Sequence, residues 1–329
     1  MSTILGSLRR LVLAPSLHDV SFAGRGFPIT ESAVSQRLEA VPQSVVCGFE
    51  WGIDGGPSWE LERRLDMVEP ELRGFAYEGA TMALTVRDVM RGERTRELLL
   101  GPGHPHIFLA YIGIGFAMAR LPRRLWRKVL PDLSASPYHP VMSWLAVDGY
   151  GFDLAYFHTG RWVDEQRLPQ PYPWLGFPDY FPRACDQGIG RALWFIHAGE
   201  VHAVATAVER FAPQRRADLW SGVGLASTFA GGASATELEY LAQAAGEHGG
   251  HLAVGSVFAA KARDHAGFVP PHSADAVEVL TGRTVAAAVE IADRTTVPHT
   301  GPESVPQYEV WRERIRAELR LPSVSATSK

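Results

Sequence analysis

The sequence predicts an all-α fold, an array of about six helical hairpins with a tetratricopeptide-like period and an N-terminal cap. The main observation is a glycine-rich motif that recurs along the chain, and the second is a series of apolar helical stretches separated by proline and glycine. The first glycines of the copies lie 34, 36, 39 and 34 residues apart, at Gly79, Gly113, Gly149, Gly188 and Gly222. A weaker copy follows at Gly255. A period of about 34 residues is typical of helix-turn-helix repeats, in which each unit buries its apolar face against the next.

The paired glycines need a physical explanation, because glycine inside a helix costs about 1 kcal/mol relative to alanine. In the last strong copy, a dinucleotide-binding loop would need glycine or alanine where Ser227 stands, and a strand before it. We therefore interpret the glycines as packing positions. Gly222 and Ala226 lie four apart on one stripe of the helix, whereas Gly224 lies on another face, so neighbouring helices can approach on both sides.

The repeat divides the chain into three predicted regions. An N-terminal cap spans residues 1–65, a helical-repeat domain spans 66–295, and a C-terminal helix with a loose tail spans 296–329. The predicted second helices of the hairpins include RRLWRKVL after the second glycine copy and RWVDEQRL after the third. The long step of 39 residues contains a Pro-aromatic insertion, residues 169–182, that is too rich in proline to be helical. Breakers fall between the predicted helices at Pro122, Pro137, Pro140, Pro213, Gly231, Gly232, Pro270 and Pro271.

Composition limits the kinds of partner and compartment. The 329 residues carry a net charge of −4 with a pI of about 6.3, which disfavours nucleic acid because its partners carry basic surfaces. The most membrane-like run, residues 107–119, has 13 residues, fewer than the roughly 20 that a spanning helix needs. Cys47 and Cys185 are too few for a disulfide framework. With no convincing signal peptide, these features predict a cytoplasmic protein without a membrane span.

Motifs along most of the chain carry a family resemblance. Between about Phe49 and Arg314 they are RGFAYEGATMAL, HIFLAYIGIGFAMARLPRRLW, LAVDGYGFDLAYFH, DQGIGRALWF, DLWSGVGLASTFAGG and FAAKAR. Together they resemble a bacterial family of unknown function found among the proteins of enediyne and other polyketide gene clusters. The resemblance implies a role in enediyne or related polyketide biosynthesis. It implies no reaction and no catalytic residue, and the cofactor is unknown.

Acidic residues beside the glycines are the candidate catalytic groups. Equivalent positions of stacked repeats lie side by side. The residues just before the first glycine of each copy are therefore predicted to form a row along one groove, which we call the ladder, with Asp153 and Asp186 nearby. Carboxylates in an apolar groove have raised pKa values and serve as general acids or bases, which assigns catalysis to Glu78, Asp148 and Asp153. The alternative is that they bind arginines or helix ends and only fix the stacking. The residues before the first glycine of each copy are Glu78, Ile112, Asp148, Gln187 and Ser221.

The Pro-aromatic insertion and the polar ladder supply the candidate substrate-binding residues. Trp174, Tyr180 and Phe181 belong to the insertion, and loops that interrupt a repeat tend to lie over its binding face. Large flat side chains suit a flat conjugated ligand, whereas Gln187 and Ser221 offer hydrogen-bonding groups. We expect the three candidate carboxylates to face one cavity roofed by this insertion.

The histidines provide no clear metal site. His197 and Glu200 lie three residues apart, but di-iron bundles use the reverse order, Glu-x-x-His, and no matching pair of carboxylates is evident. No metal is therefore assigned, and the sequence leaves open whether one binds near His197, Glu200 or His251.

Two functions of different classes fit the sequence. In the first, the protein acts on or binds a polyketide-derived linear polyene during formation of an enediyne core, with the acidic residues exchanging protons. In the second, it is a non-catalytic helical-repeat scaffold that holds partner enzymes of the same pathway. Buried glycines and aromatic residues favour a ligand cavity, whereas the absence of a known catalytic motif favours the scaffold. The sequence does not decide whether the protein is an enzyme.

Overall fold

The computed structural model describes residues 15–89, 92–297 and 304–320, and in these ranges it contains helices and no strand. The predicted all-α class is confirmed. Short 3-10 helices and a π-helical turn connect some of the α-helices. The α-helices are, in chain order, α1 (Leu17–Val20), α2 (Phe22–Arg25), α3 (Ala33–Asp54), α4 (Ser58–Asp66), α5 (Pro70–Asp88), α6 (Arg94–Leu100), α7 (Ile107–Arg120), α8 (Trp144–Phe157), α9 (Phe181–Ile196), α10 (Val201–Glu209), α11 (Pro213–Ala230), α12 (Ala235–Ala245), α13 (Gly249–His265), α14 (Pro271–Thr281), α15 (Val285–Arg294) and α16 (Gln307–Leu319).

Local sequence signals set where several of these helices begin and end. Ser32 and Ser234 each accept a hydrogen bond from the backbone N–H three residues further on, at the start of α3 and α12, as N-cap residues do. Pro70 occupies the first turn of α5, where its missing N–H is no loss. α3 ends at Gly55, whose φ of 83° is left-handed and therefore favours glycine.

The core consists of helices that pack one on the next in chain order, and we call α3, α5, α7, α8, α9, α11 and α13 the inner helices. Glycines allow the close contacts between them. A Cβ added to Gly113 would overlap with the carbonyl oxygen of Glu78 on α5, and one added to Gly115 with that of Ala146 on α8. The two glycines of a pair thus contact the helix before and the helix after, as their spacing predicts.

Two of the predicted hairpins lack an α-helix as their second member, and that part of the prediction is wrong. The segment Arg123–Lys128 after α7 is a 3-10 helix, and Gly160–Asp164 after α8 is a short π-helical turn. Proline limits both segments, since Pro122 and Pro131 flank the first and Pro169 follows the second. Proline cannot continue an α-helix because it lacks the N–H donor and its ring meets the preceding turn.

The series of inner helices closes on itself. Phe75 of α5 packs edge-on against Phe229 of α11, with 5.3 Å between ring centroids, and Arg263 of α13 donates a hydrogen bond to the carbonyl oxygen of Glu71 at 2.9 Å. In an open solenoid each repeat contacts only its neighbours, so the predicted tetratricopeptide-like arrangement is not reproduced. The physical reason is burial: closure leaves Phe75 only 7% and Phe229 only 5% exposed.

The region predicted as an N-terminal cap contributes an inner helix. α3 packs on α5 in the same way as the glycine copies, since a Cβ on Gly79 would overlap with the carbonyl oxygen of Val45. The short α1 lies over the end of α8, where the Tyr156 hydroxyl donates a hydrogen bond to the Val20 carbonyl at 2.6 Å. At the other end of the chain α16 packs on α13. The predicted tail after this helix, residues 322–329, lies outside the described residues.

The most apolar stretch of the chain forms part of α7. All residues from Ile107 to Met118 are buried among the inner helices. Within the described ranges, no helix is both long and apolar enough to cross a membrane.

Candidate functional site

The inner helices surround a cavity with two lobes. Lobe A contains about 620 Å³ of space between its atoms and lobe B about 520 Å³, and both volumes include solvent at the openings of the lobes. Aliphatic and aromatic side chains form most of both walls. Residues that line lobe A include Val41, Phe49, Met82, Phe116, Phe152 and Tyr156. Residues that line lobe B include Phe108, Leu109, Met142, Leu225, Phe229 and Phe258.

The two lobes meet at a junction formed by α5 and α9. Phe75 and Glu78 of α5 and Arg191 and Phe195 of α9 line both lobes. The junction therefore places a carboxyl group and a guanidinium between two apolar spaces. A chain that occupied both lobes would pass these two groups.

Glu78 is buried at the junction, and none of the described residues forms a hydrogen bond with its carboxyl group. The side chain is 2% exposed, and in the described part of the chain it makes no hydrogen bond. Burial raises its pKa to about 8, because the positive charge of Arg191 only partly offsets desolvation and the negative charge of Asp148 adds to it. At neutral pH the carboxyl is therefore mostly protonated and can both donate and accept a hydrogen bond.

Asp148 holds Arg191 in place at the junction. The Arg191 Nε atom donates a hydrogen bond to Asp148 Oδ1 at 2.6 Å, and both side chains are buried. The Nη2 atom of Arg191 lies 2.6 Å from the same oxygen in an ion pair, and it makes no well-aligned hydrogen bond to any described residue. Burial raises the pKa of Asp148, and the charge of Arg191 opposes this shift. Asp148 is not among the residues that line either lobe, so it acts on the cavity through Arg191.

Asp153 lies at lobe A and is paired with an arginine. It accepts a hydrogen bond from Arg120 of α7, and both residues line the lobe. Burial raises the pKa of Asp153, and the charge of Arg120 opposes this shift. The structure thus brings Glu78 and Asp153 to one lobe and places Asp148 behind it. Both aspartates bind arginines, as the alternative interpretation of the ladder expects.

The predicted substrate-binding residues Gln187, Ser221 and Tyr180 belong to a second buried cluster, away from both lobes. Gln187 donates hydrogen bonds to Asp218 Oδ1 at 2.9 Å and to the Tyr180 hydroxyl at 3.2 Å. Arg312 donates to the Ser221 hydroxyl at 3.0 Å and to Asp218 at 3.3 Å. We call this cluster the α16 network, and it consists of Tyr180, Gln187, Asp218, Ser221, Glu309 and Arg312.

The α16 network fixes α16 behind lobe B. Glu309 accepts a hydrogen bond from the Tyr180 hydroxyl at 2.7 Å. Although burial alone would raise the pKa of Glu309, the charges of Arg312 and Arg183 lower it to about 2, so the carboxylate is ionised. Tyr308 of the same helix stacks on Phe258 of lobe B, with ring centroids 5.8 Å apart. The network therefore supports a wall of the cavity.

The Pro-aromatic insertion leads into the start of α9, and its aromatic rings pack on one another and on Trp126. The Phe181 ring lies 5.9 Å from Trp126 and 5.8 Å from Tyr172, and the Trp174 ring lies 6.5 Å from Tyr172. Among the described residues that line the two lobes, none comes from residues 169–182. The structure thus separates Trp174, Tyr180 and Phe181 from the cavity, and lobe A is instead lined at one end by Pro15 and Val20.

The histidines considered as metal ligands have other surroundings. Glu200 caps α10, where its carboxylate accepts hydrogen bonds from the backbone N–H groups of His202 at 3.0 Å and Ala203 at 2.7 Å. Burial lowers the pKa of His251 to about 3 and that of His197 below its usual value. Within residues 15–89, 92–297 and 304–320, no group of three or more His, Cys, Asp and Glu side chains could hold a metal ion.

Sequence reasoning missed Arg191, Asp218 and the charged residues of α16. Arg191 follows the second glycine of its copy in the otherwise apolar run GIGRALWFI, and a charge in such a run predicts a buried, paired group. Glu309 and Arg312 lie three residues apart, a spacing that favours an ion pair within a helix. No local signal shows that this helix packs into the core.

A family model matches nearly the whole chain. The family described as Protein of unknown function (DUF1702) matches residues 4–319, a stretch that includes α1 to α16 and both lobes. No curated protein and no solved structure matches the chain.

Proposed function

This chain belongs to the DUF1702 family, and we propose that its cavity binds a linear polyene of polyketide origin during formation of an enediyne core, with Glu78 exchanging a proton with the bound chain. The observation that carries the proposal is the two-lobed apolar cavity with a protonated carboxyl at its junction. The motif resemblance to proteins of enediyne and polyketide gene clusters supports the assignment of the ligand class.

The walls of the cavity suit a long conjugated chain. Phenylalanine side chains occur in both lobes and at the junction between them. Flat aromatic rings pack well against a flat apolar ligand, and burial of apolar surface is the main favourable contribution to such binding. The proposal requires an extended chain to reach from one lobe to the other past Phe75 and Phe195, which line both lobes.

The junction suits proton exchange. A general acid or base works best when its pKa lies near the working pH, and the pKa of Glu78 is about 8. The surrounding apolar walls keep water away from the group, so a proton given to or taken from the ligand is not lost to solvent. Asp148 takes a positioning role because it holds the Arg191 guanidinium beside this carboxyl.

Binding can be tested with parinaric acid, a conjugated linear chain whose fluorescence rises in apolar surroundings. We expect the wild-type protein to bind it, and Ala226→Leu combined with Ala259→Leu to weaken binding at least about tenfold, because both alanines line lobe B and added methyl groups fill the space. Ala286→Leu on the exposed face of α15 is the matched control. Wild-type protein that leaves the fluorescence unchanged would contradict the proposal.

The chemical role can be tested in a producing strain from which the gene has been deleted. We expect the wild-type gene to restore the product, and Glu78→Gln and Asp148→Asn to cause a polyene to accumulate although both variants fold. Glu69→Gln, at the exposed start of α5, should restore full product. Full product from both junction variants would remove Glu78 and Asp148 from the mechanism and favour the scaffold function.

A further inference from the structure

The junction of the two lobes contains polar groups with hydrogen-bonding capacity that the described residues do not use. Glu78 lines both lobes and makes no hydrogen bond in the described part of the chain, and the Arg191 Nη2 atom, although paired with Asp148 Oδ1 at 2.6 Å, makes no well-aligned hydrogen bond there. A buried polar group without a partner is costly, and in native proteins it usually marks a place where another group binds. The residues lining the rest of each lobe are mainly apolar.

The charge balance at the junction selects a neutral ligand group. The positive charge of Arg191 is already balanced by Asp148, with which it forms a buried ion pair, and the Glu78 carboxyl adds no charge while it is protonated. A ligand carboxylate or phosphate would add an unbalanced negative charge to a buried site that already holds two acidic residues, at a large desolvation cost. A ketone or a hydroxyl adds no charge to the site.

We propose that the bound chain carries a neutral oxygen function, a ketone or a hydroxyl, near its middle, where the Glu78 carboxyl and the Arg191 guanidinium bind it while its two apolar arms occupy lobes A and B. This inference rests on the proposed function, because it requires that the cavity bind a long chain. The position follows from the geometry, since the polar groups lie between the lobes and a chain that fills both has its middle there.

Three unbranched probes of equal length test the inference: a hydrocarbon, a ketone with its carbonyl at the middle of the chain, and a ketone with its carbonyl at the second carbon. Each is used to displace parinaric acid from the full chain. We expect the mid-chain ketone to displace it at concentrations about five- to tenfold lower than the other two, the size of one buried hydrogen bond. Equal displacement by all three would overturn the inference and leave the proposed function standing. No displacement by any probe would overturn the proposed function and this inference with it.

Two variants of one residue separate hydrogen bonding from shape. Glu78→Gln keeps donor and acceptor atoms and should keep the preference for the mid-chain ketone. Glu78→Leu removes these atoms at similar size and should remove the preference while the hydrocarbon still binds. A preference that survives Glu78→Leu would overturn the role of the carboxyl.

A spectroscopic measurement on the wild-type protein gives an answer that does not depend on any variant folding. The mid-chain ketone is labelled with carbon-13 at its carbonyl, and its infrared stretching band is compared with that in hexane. A hydrogen-bonded carbonyl absorbs at lower frequency, so we expect a clear downward shift on binding. A bound ketone with the frequency found in hexane would overturn the inference.

Discussion

At the scale of the residue, Glu78 differs from the buried acids Asp148, Asp153 and Asp186 in its hydrogen bonding. Asp148 and Asp153 accept hydrogen bonds from arginines, and Asp186 is bound by Arg215, whose Nη2 atom lies 2.6 Å from Oδ1. Glu78 has a cation nearby but no bond to it. Buried acids with strongly shifted pKa values are characteristic of functional sites, and because none of the described residues bonds to this carboxyl group, it can interact with a ligand.

The raised pKa of Glu78 predicts how the stability of the protein depends on pH. The pKa of Glu78 is about 8 in the folded protein and about 4.5 when the group is unperturbed. Between these values the unfolded state releases a proton that the folded state keeps, so the free energy of unfolding of the wild type falls as the pH rises. Glutamine does not titrate, and we expect the stability of Glu78→Gln relative to the wild type to increase by roughly 1 kcal/mol per pH unit in this range.

Urea unfolding followed by far-UV circular dichroism between about pH 5 and 8 measures this difference. Glu69→Gln, the same change at an exposed position at the start of α5, serves as the matched control. A pH-independent difference for Glu78→Gln would show that Glu78 is ionised in the folded protein.

At the scale of the element, glycine positions set how closely the inner helices approach. The carbonyl oxygen of Gln187 on α9 lies where a Cβ of Gly222 on α11 would be, and that of Leu252 on α13 lies where a Cβ of Gly224 would be. Backbones in such contact gain packing and Cα–H···O interactions that a larger residue would prevent. The loss in helix propensity at each glycine is offset by these contacts.

A pair of glycine variants tests this role. Gly222→Ala should destabilise the protein by about 1–3 kcal/mol, because the added methyl group forces α9 and α11 apart. Gly249→Ala, at the start of α13, should raise stability by up to about 1 kcal/mol, because nothing lies within 4 Å of the added Cβ and alanine reduces the freedom of the unfolded chain. Thermal unfolding of both variants measures the two changes in stability. Equal shifts of the melting temperature would refute a packing role for Gly222.

At the scale of the whole molecule, the sequence predicted those features that depend on the spacing of residues close together in the chain. The glycine pairs predicted helices in contact on two sides, and the residues before them led to Glu78. The sequence could not predict closure of the helix series, because Phe75 and Phe229 or Arg263 and Glu71 are distant in the chain. For the same reason it placed the Pro-aromatic insertion over the cavity and missed the α16 network, both of which depend on contacts between distant segments.

The closure of the inner helices has a consequence for the rate of folding. Contacts between successive helices join residues that are near in sequence, whereas the Arg263 to Glu71 hydrogen bond spans 192 residues and the Arg37 to His272 contact spans 235. The chain must lose the entropy of a long loop before such contacts form, so they arise late in folding. We expect Phe229→Leu, which weakens a closing contact, to speed unfolding and leave the folding rate nearly unchanged in stopped-flow measurements. Gly222→Ala, at a contact between successive helices, should slow folding instead. Because closure comes late, the two lobes are expected to be the last part of the native structure to form.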